Sequence, residues 1–152
     1  EVNDAIKAVL FLYGLYSIKE NNKLHPYLRP DLHIVSMARQ IITDVTIVDD
    51  VFTGDPNMLQ AASDEKHVKY DALAGSLDMD FFALPISAYG RLHSEVFRFI
   101  DTVALKAVNP FRRSQFKQDM RTAIQHALLK GTADVANAAV ARLCNRTADW
   151  IE

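Results

Sequence analysis

The sequence predicts a mixed α/β domain, a small mixed sheet flanked by helices with a C-terminal helical extension. Three observations lead there. Ile41–Val48 is dense in β-branched residues and alternates, as a strand does. Met79–Ser87 is a short apolar run of the kind that forms a buried strand. The segments around them place apolar residues three and four apart, the spacing of helices with one buried face. At 152 residues the chain has the size of one domain, and a hydrophobic fraction of 49% favours a packed core over disorder.

Taken in order, Glu1 to about Glu20 reads as a helix, with Val2, Ile6, Val9, Leu10 and Tyr13 on one face. Asn21, Asn22 and Lys23 end it. Pro30, which lacks an N–H, suits the start of a strand over Leu32–Val35. Ser36–Gln40 reverses the chain into the strand Ile41–Val48. Asp49–Asn57 is an acidic loop, read as solvated, although Asp49, Asp50 and Asp55 are all oxygen donors. Met58 to about Leu77 is a second helix. Lys66, Lys69, Tyr70 and Leu73 share one of its faces. After Met79–Ser87, Ala88-Tyr89-Gly90 turns the chain into a helix over Leu92–Ala107. Asn109-Pro110 breaks that helix. Phe111–Lys130 is the next, with Gly131 in the position that closes a helix. A last helix follows from Thr132, with Val135, Ala139 and Leu143 as its seam and Trp150 near its end. Residues 1–108 form the expected core, and 109–152 the extension packed on the same domain. A strand–helix–strand unit through the second helix is expected to give a parallel pair.

Composition narrows the functional classes. A net charge of −2 supplies no general attraction to nucleic acid, so such binding requires a local basic patch. Arg112, Arg113, Lys117 and Arg121, at helical spacing after Pro110, are the candidate, against the plainer reading of a solvated helix face. Cys144 is the only cysteine, which excludes an intrachain disulfide and a multi-cysteine zinc site and fits a reducing compartment. The longest uncharged apolar run is too short to span a bilayer. The first residue is Glu1, so the chain reads as a domain cut from a longer protein.

The chemistry centres on Leu28–Asp50. Asp31 follows Pro30 at the head of one strand, and Asp44 lies inside the next. Antiparallel pairing of those strands would bring the two carboxylates together. Two such groups repel unless a cation shares them. A carboxylate between Ile42 and Val45 is costly to bury without a partner.

The series Arg29-Pro30-Asp31, Ile42-Thr43-Asp44-Val45-Thr46 and Lys66-His67-Val68-Lys69-Tyr70, continued by Phe81–Ile86 and Ala88-Tyr89-Gly90, resembles the restriction-like endonuclease domain of site-specific non-LTR retrotransposons. The likeness covers roughly Leu28 to Ala107. That domain belongs to the PD-(D/E)xK nuclease superfamily. The resemblance implies a restriction-endonuclease-like core that hydrolyses DNA with Mg²⁺, Mn²⁺ substituting. It implies Asp31, Asp44, Lys66, Lys69 and Tyr70 as catalytic residues. Asp31, Asp44, the Val45 carbonyl and, as a further acid, Glu20 are the expected metal ligands, and Arg29, Arg112, Arg113 and Lys117 the expected DNA contacts. Other implied partners are the remaining domains of a parent polyprotein, a reverse transcriptase among them, in the nucleus and with no membrane.

One position departs from the superfamily. The lysine usually found two residues after the second acid is Thr46 here, and in the retrotransposon domains the next helix supplies it. Two alternatives stay open, and the departure motivates the first. One is a catalytically degenerate fold that binds DNA or protein. The other is an RNA-cleaving enzyme resembling the viral cap-snatching domains.

Overall fold

The computed structural model describes residues 1–49 and 57–148, with the side chains of all but 132, 135 and 143–148. The element order is α1 (Val2–Leu12), β1 (Ser17–Lys19), β2 (Leu32–Ile34), β3 (Ile41–Val48), α2 (Met58–Ser76), β4 (Asp80–Ser87), α3 (Ser94–Ala107), a 3₁₀ turn (Pro110–Arg112) and α4 (Arg113–Ala148). Among the described residues, the four strands form one mixed sheet in the order β1-β2-β3-β4. β1–β2 and β2–β3 are antiparallel, and β3–β4 is parallel, with α2 crossing between them.

The sheet separates two apolar layers, because alternate residues of a strand face opposite ways. Leu32, Ile34, Ile41, Leu84 and Ile86 pack with α1, α3 and α4, where Ile6, Leu10, Phe99, Phe116 and Ile124 are buried. Ile42, Phe81 and Ala83 point the other way and pack under α2 against Tyr70, Leu73 and Ala74. The first layer is much the larger. Burying one of its phenylalanines stabilises by about 1.5–3 kcal/mol.

β4 lies at the edge of the sheet, where unpaired backbone groups invite pairing with another chain. The following segment covers it. Ser87 donates its N–H to Arg91, His93 donates to Pro85, and Ile86 bridges to Leu92. The outward N–H of Ala83 goes to the Glu95 carboxylate.

Two expectations need correction. The first helix stops at Leu12 rather than Glu20. Gly14 adopts φ 78°, Leu15 donates to Leu10 at 2.9 Å and Gly14 to Phe11 at 3.0 Å. This is the double-bonded C-terminal closure that glycine permits. The released chain forms β1, a strand of three residues too short to show a period. At the other end, α4 runs through Gly131 and Thr132 without a break, so the two C-terminal helices expected there are one. Trp150 lies outside the described residues.

An interior helical glycine carries an entropic cost that a left-handed capping glycine does not. Among the described residues, a methyl group at Gly131 would meet only the exposed Glu1 side chain, at 3.1 Å, which can move aside. Gly131→Ala is therefore expected to stabilise the fold by about 0.5–1 kcal/mol. Urea unfolding checks this, and a loss of stability would restore the helix break.

Candidate active site

The register of the sheet brings the two acids together. Leu32 pairs with Thr43 across β2 and β3, so one further step places Asp31 opposite Asp44. Asp31 falls on the face of His33, and Asp44 on the face of Ile42, which packs under α2. Both carboxylates therefore stand on the α2 side. The next step would pair Pro30 with Val45, but proline has no N–H to offer. The Val45 N–H goes instead to Asp31 Oδ2 at 2.7 Å, and its carbonyl gains no ladder donor from Pro30.

α2 supplies the cation. Lys66 Nζ lies 2.7 Å from Asp44 Oδ2, with Asp44 only 4% exposed. Burial pushes the Asp44 carboxyl above its ordinary range. The Lys66 hydrogen bond opposes that, and the charge of nearby Asp31 adds to it. Lys69, one turn on, is exposed and sits 5.1 Å from the centre of the Tyr70 ring. Its charge also favours ionised Asp44, more weakly. Of the two candidate lysines, Lys66 is the one that reaches Asp44.

Tyr70 is buried, and its hydroxyl donates to the Arg29 carbonyl at 3.2 Å. Burial, then the charges of Asp44 and Asp31, push its pKa up to about 12. It stays protonated near neutrality and ties the Arg29-Pro30-Asp31 segment to α2. The Arg29 residue itself is exposed.

The donor set fits a hard divalent cation. Mg²⁺ is commonly held by one or two carboxylates, with waters and substrate phosphate completing the octahedron. Asp31 and Asp44 provide the carboxylates. Thr46, two residues along on the same face as Asp44, has a buried hydroxyl without a hydrogen-bond partner. Buried hydroxyls are normally satisfied, so this one is placed to accept a water or another polar group. No cluster of three or more His, Cys, Asp or Glu side chains able to hold a metal occurs among the described residues. The expected third acid, Glu20, is exposed and meets Asp31 through its backbone, its N–H donating to the Asp31 carbonyl at 2.9 Å. Of the loop acids, Asp49 is exposed, and Asp50 and Asp55 lie outside the described residues.

The basic residues after Pro110 are drawn into the fold. Arg113 donates to the carbonyls of Ala104, Leu105 and Val108 and so closes the end of α3. Arg112 stacks over the Tyr13 ring at 4.4 Å, and Lys117 pairs with Asp101 at 3.1 Å. Each of the three thus has a partner within the chain.

A second buried carboxylate, Glu95, escaped the sequence reading. It is 2% exposed and takes hydrogen bonds from Ser63, His67, Arg98 and the Ala83 N–H. In sequence it is indistinguishable from the acids that commonly begin a helix. No known protein-family model matches the chain, and a search of curated proteins finds no relative of it.

His67 contacts Glu95 through Nε2 at 2.7 Å and Asp71 through Nδ1 at 2.7 Å. Burial alone would lower its pKa, but Glu95 and Asp71 outweigh that and raise it. A raised basic group contributes stability that is fully present below its unfolded value, near 6.5, and lost as pH rises through the folded one. The melting-temperature advantage of the wild type over His67→Gln should therefore shrink as pH rises over the range above about 6.5. A constant difference across that window would mean that His67 is neutral in the fold.

Proposed function

We propose that this chain is a metal-dependent endonuclease domain that hydrolyses DNA phosphodiester bonds, of the restriction-like kind found in site-specific non-LTR retrotransposons. In that setting the nick would prime a reverse transcriptase carried by the same parent protein, in the nucleus. The observation that carries the reading is the Lys66 ammonium on Asp44, with Asp31 on the same face of the sheet. It supports the reading at its one departure, Thr46, since a lysine absent from the strand is present on the helix laid across it.

Asp31, Asp44 and the Val45 carbonyl would hold Mg²⁺ or Mn²⁺, which lowers the pKa of a bound water and polarises a phosphate oxygen. The remaining work belongs to the chain. Lys66 supplies positive charge where charge builds on the phosphate, in a setting dry enough for that charge to count. The Thr46 hydroxyl offers a hydrogen bond to the attacking water. Tyr70 keeps Asp31 in place through Arg29. Lys69 and Arg29 line the approach and meet the DNA backbone. No helix among the described residues is long and apolar enough to cross a membrane.

Supercoiled plasmid should be nicked in Mg²⁺ or Mn²⁺ and left intact in EDTA. Lys66→Ala is expected to lower the rate about 10²–10³-fold, the loss typical of one transition-state donor. Lys69→Ala should cost less. Undiminished cutting by an Asp31→Ala, Asp44→Ala double variant would overturn the assignment. Cleavage of a matched RNA in place of DNA would move the reading to the cap-snatching type.

A further inference from the structure

Glu95 lies on the far side of β4 from the acids, yet its contacts close a loop through them. Its carboxylate accepts the N–H of Ala83, and Ala83 is the residue of β4 paired with Asp44. It also accepts from Ser63 Oγ at 3.3 Å and His67 Nε2 at 2.7 Å. Those two residues stand on α2 on either side of Lys66, one three residues before it and the other immediately after. Arg98 adds a fourth donor at 3.2 Å from within α3. His67 is braced in turn by Asp71 and lies edge-on to the Phe81 ring at 5.1 Å.

A buried carboxylate with four donors is satisfied and directional, and it does not slide. Apolar packing alone holds α2 less firmly. The layer beneath it is small, with Tyr70, Leu73 and Ala74 the buried residues that α2 contributes to it. Lys66 is a long side chain with a large rotamer entropy, so its 2.7 Å contact with Asp44 depends on where its Cα sits.

We propose that Glu95 is a positioning residue. By fastening Ser63 and His67 of α2 to the Ala83 N–H of β4, it fixes the helix rotation that delivers Lys66 to Asp44. Glu95 touches neither acid and acts through Lys66. The inference rests on Lys66 being the working lysine of the nuclease site proposed above.

The test reads Lys66 directly. The folded protein is treated with an amine-modifying reagent at neutral pH, and modification of Lys66, Lys69 and Lys106 is followed by mass spectrometry. In the wild type Lys66 should react at least about tenfold more slowly than exposed Lys69, since its amine is largely buried in an ion pair. In Glu95→Gln, Lys66 should approach the rate of Lys69 while Lys106 is unchanged. His67→Gln cuts one tie on a partly exposed side chain, and should shift Lys66 in the same direction even if Glu95→Gln does not fold. In a cleavage assay, kcat of either folded variant should fall about 10- to 100-fold, the range seen when groups supporting a site are removed, with KM for DNA little changed. Lys66 still protected in His67→Gln, with Asp44→Asn exposing it, would overturn the positioning role. A wild type that protects Lys66 but does not cut DNA would sink the nuclease reading and leave the labelling to judge Glu95.

Discussion

Everything on the α2 face of the sheet depends on one step of strand register. With Leu32 opposite Thr43, Asp31 and Asp44 stand side by side beneath α2. A slip of one residue would turn one of them to the other face, among Ile34, Ile41 and Phe99. The register is fixed where β2 starts. Pro30 has no N–H with which to continue the ladder, and the Asp31 carboxylate takes the Val45 N–H in its place. The same carboxylate thus ends the strand pairing and opens the site.

Two carboxylates held together in a mostly buried setting are unstable on their own. Asp44 shows the strain, its carboxyl pushed upward by burial and by Asp31. Lys66 relieves it, and the parallel β3–β4 crossover is what allows that. Parallel neighbours need a long connection, and the connection here is a helix lying over the acids. A lysine on the strand, at the position of Thr46, would share the face of Asp44. A lysine on α2 reaches the same space from above and leaves the Thr46 hydroxyl unpaired beneath it.

Much of this was legible in the sequence, for definite reasons. β3 and β4 are long enough for β-branched and apolar density to identify them, and the face of α2 carrying Lys66, Tyr70 and Leu73 follows from helical spacing. β1 was not legible, because three residues carry no period and its pairing with Leu32–Ile34 is a tertiary fact. Gly131 misled because a glycine late in a helix suggests a closure, whereas Gly14, the real closure, sat inside an apolar run. The basic run at Arg112, Arg113 and Lys117 read as a phosphate-binding face. Only the fold shows that Arg113 spends its donors on the end of α3. Glu95 was invisible, since its partners come from α2 and β4, 32 and 12 residues away.

The two layers divide the labour. α1, α3 and α4 with one face of the sheet hold most of the buried apolar surface and use their polar groups on one another, as Tyr13 does with Asp119 and Lys117 with Asp101. The other face carries a thin apolar layer, paired acids, an orphaned hydroxyl and a part-buried lysine. Such a face is marginal by packing and requires polar ties to hold its geometry. Glu95 supplies them from the stable side, because α3 belongs to the large core while its first turn reaches around the edge of β4. The geometry of the weak layer is thereby borrowed from the strong one. On the reading proposed above, nucleic acid approaches from the α2 side, where Lys66 meets Asp44 and Lys69 and Arg29 are exposed.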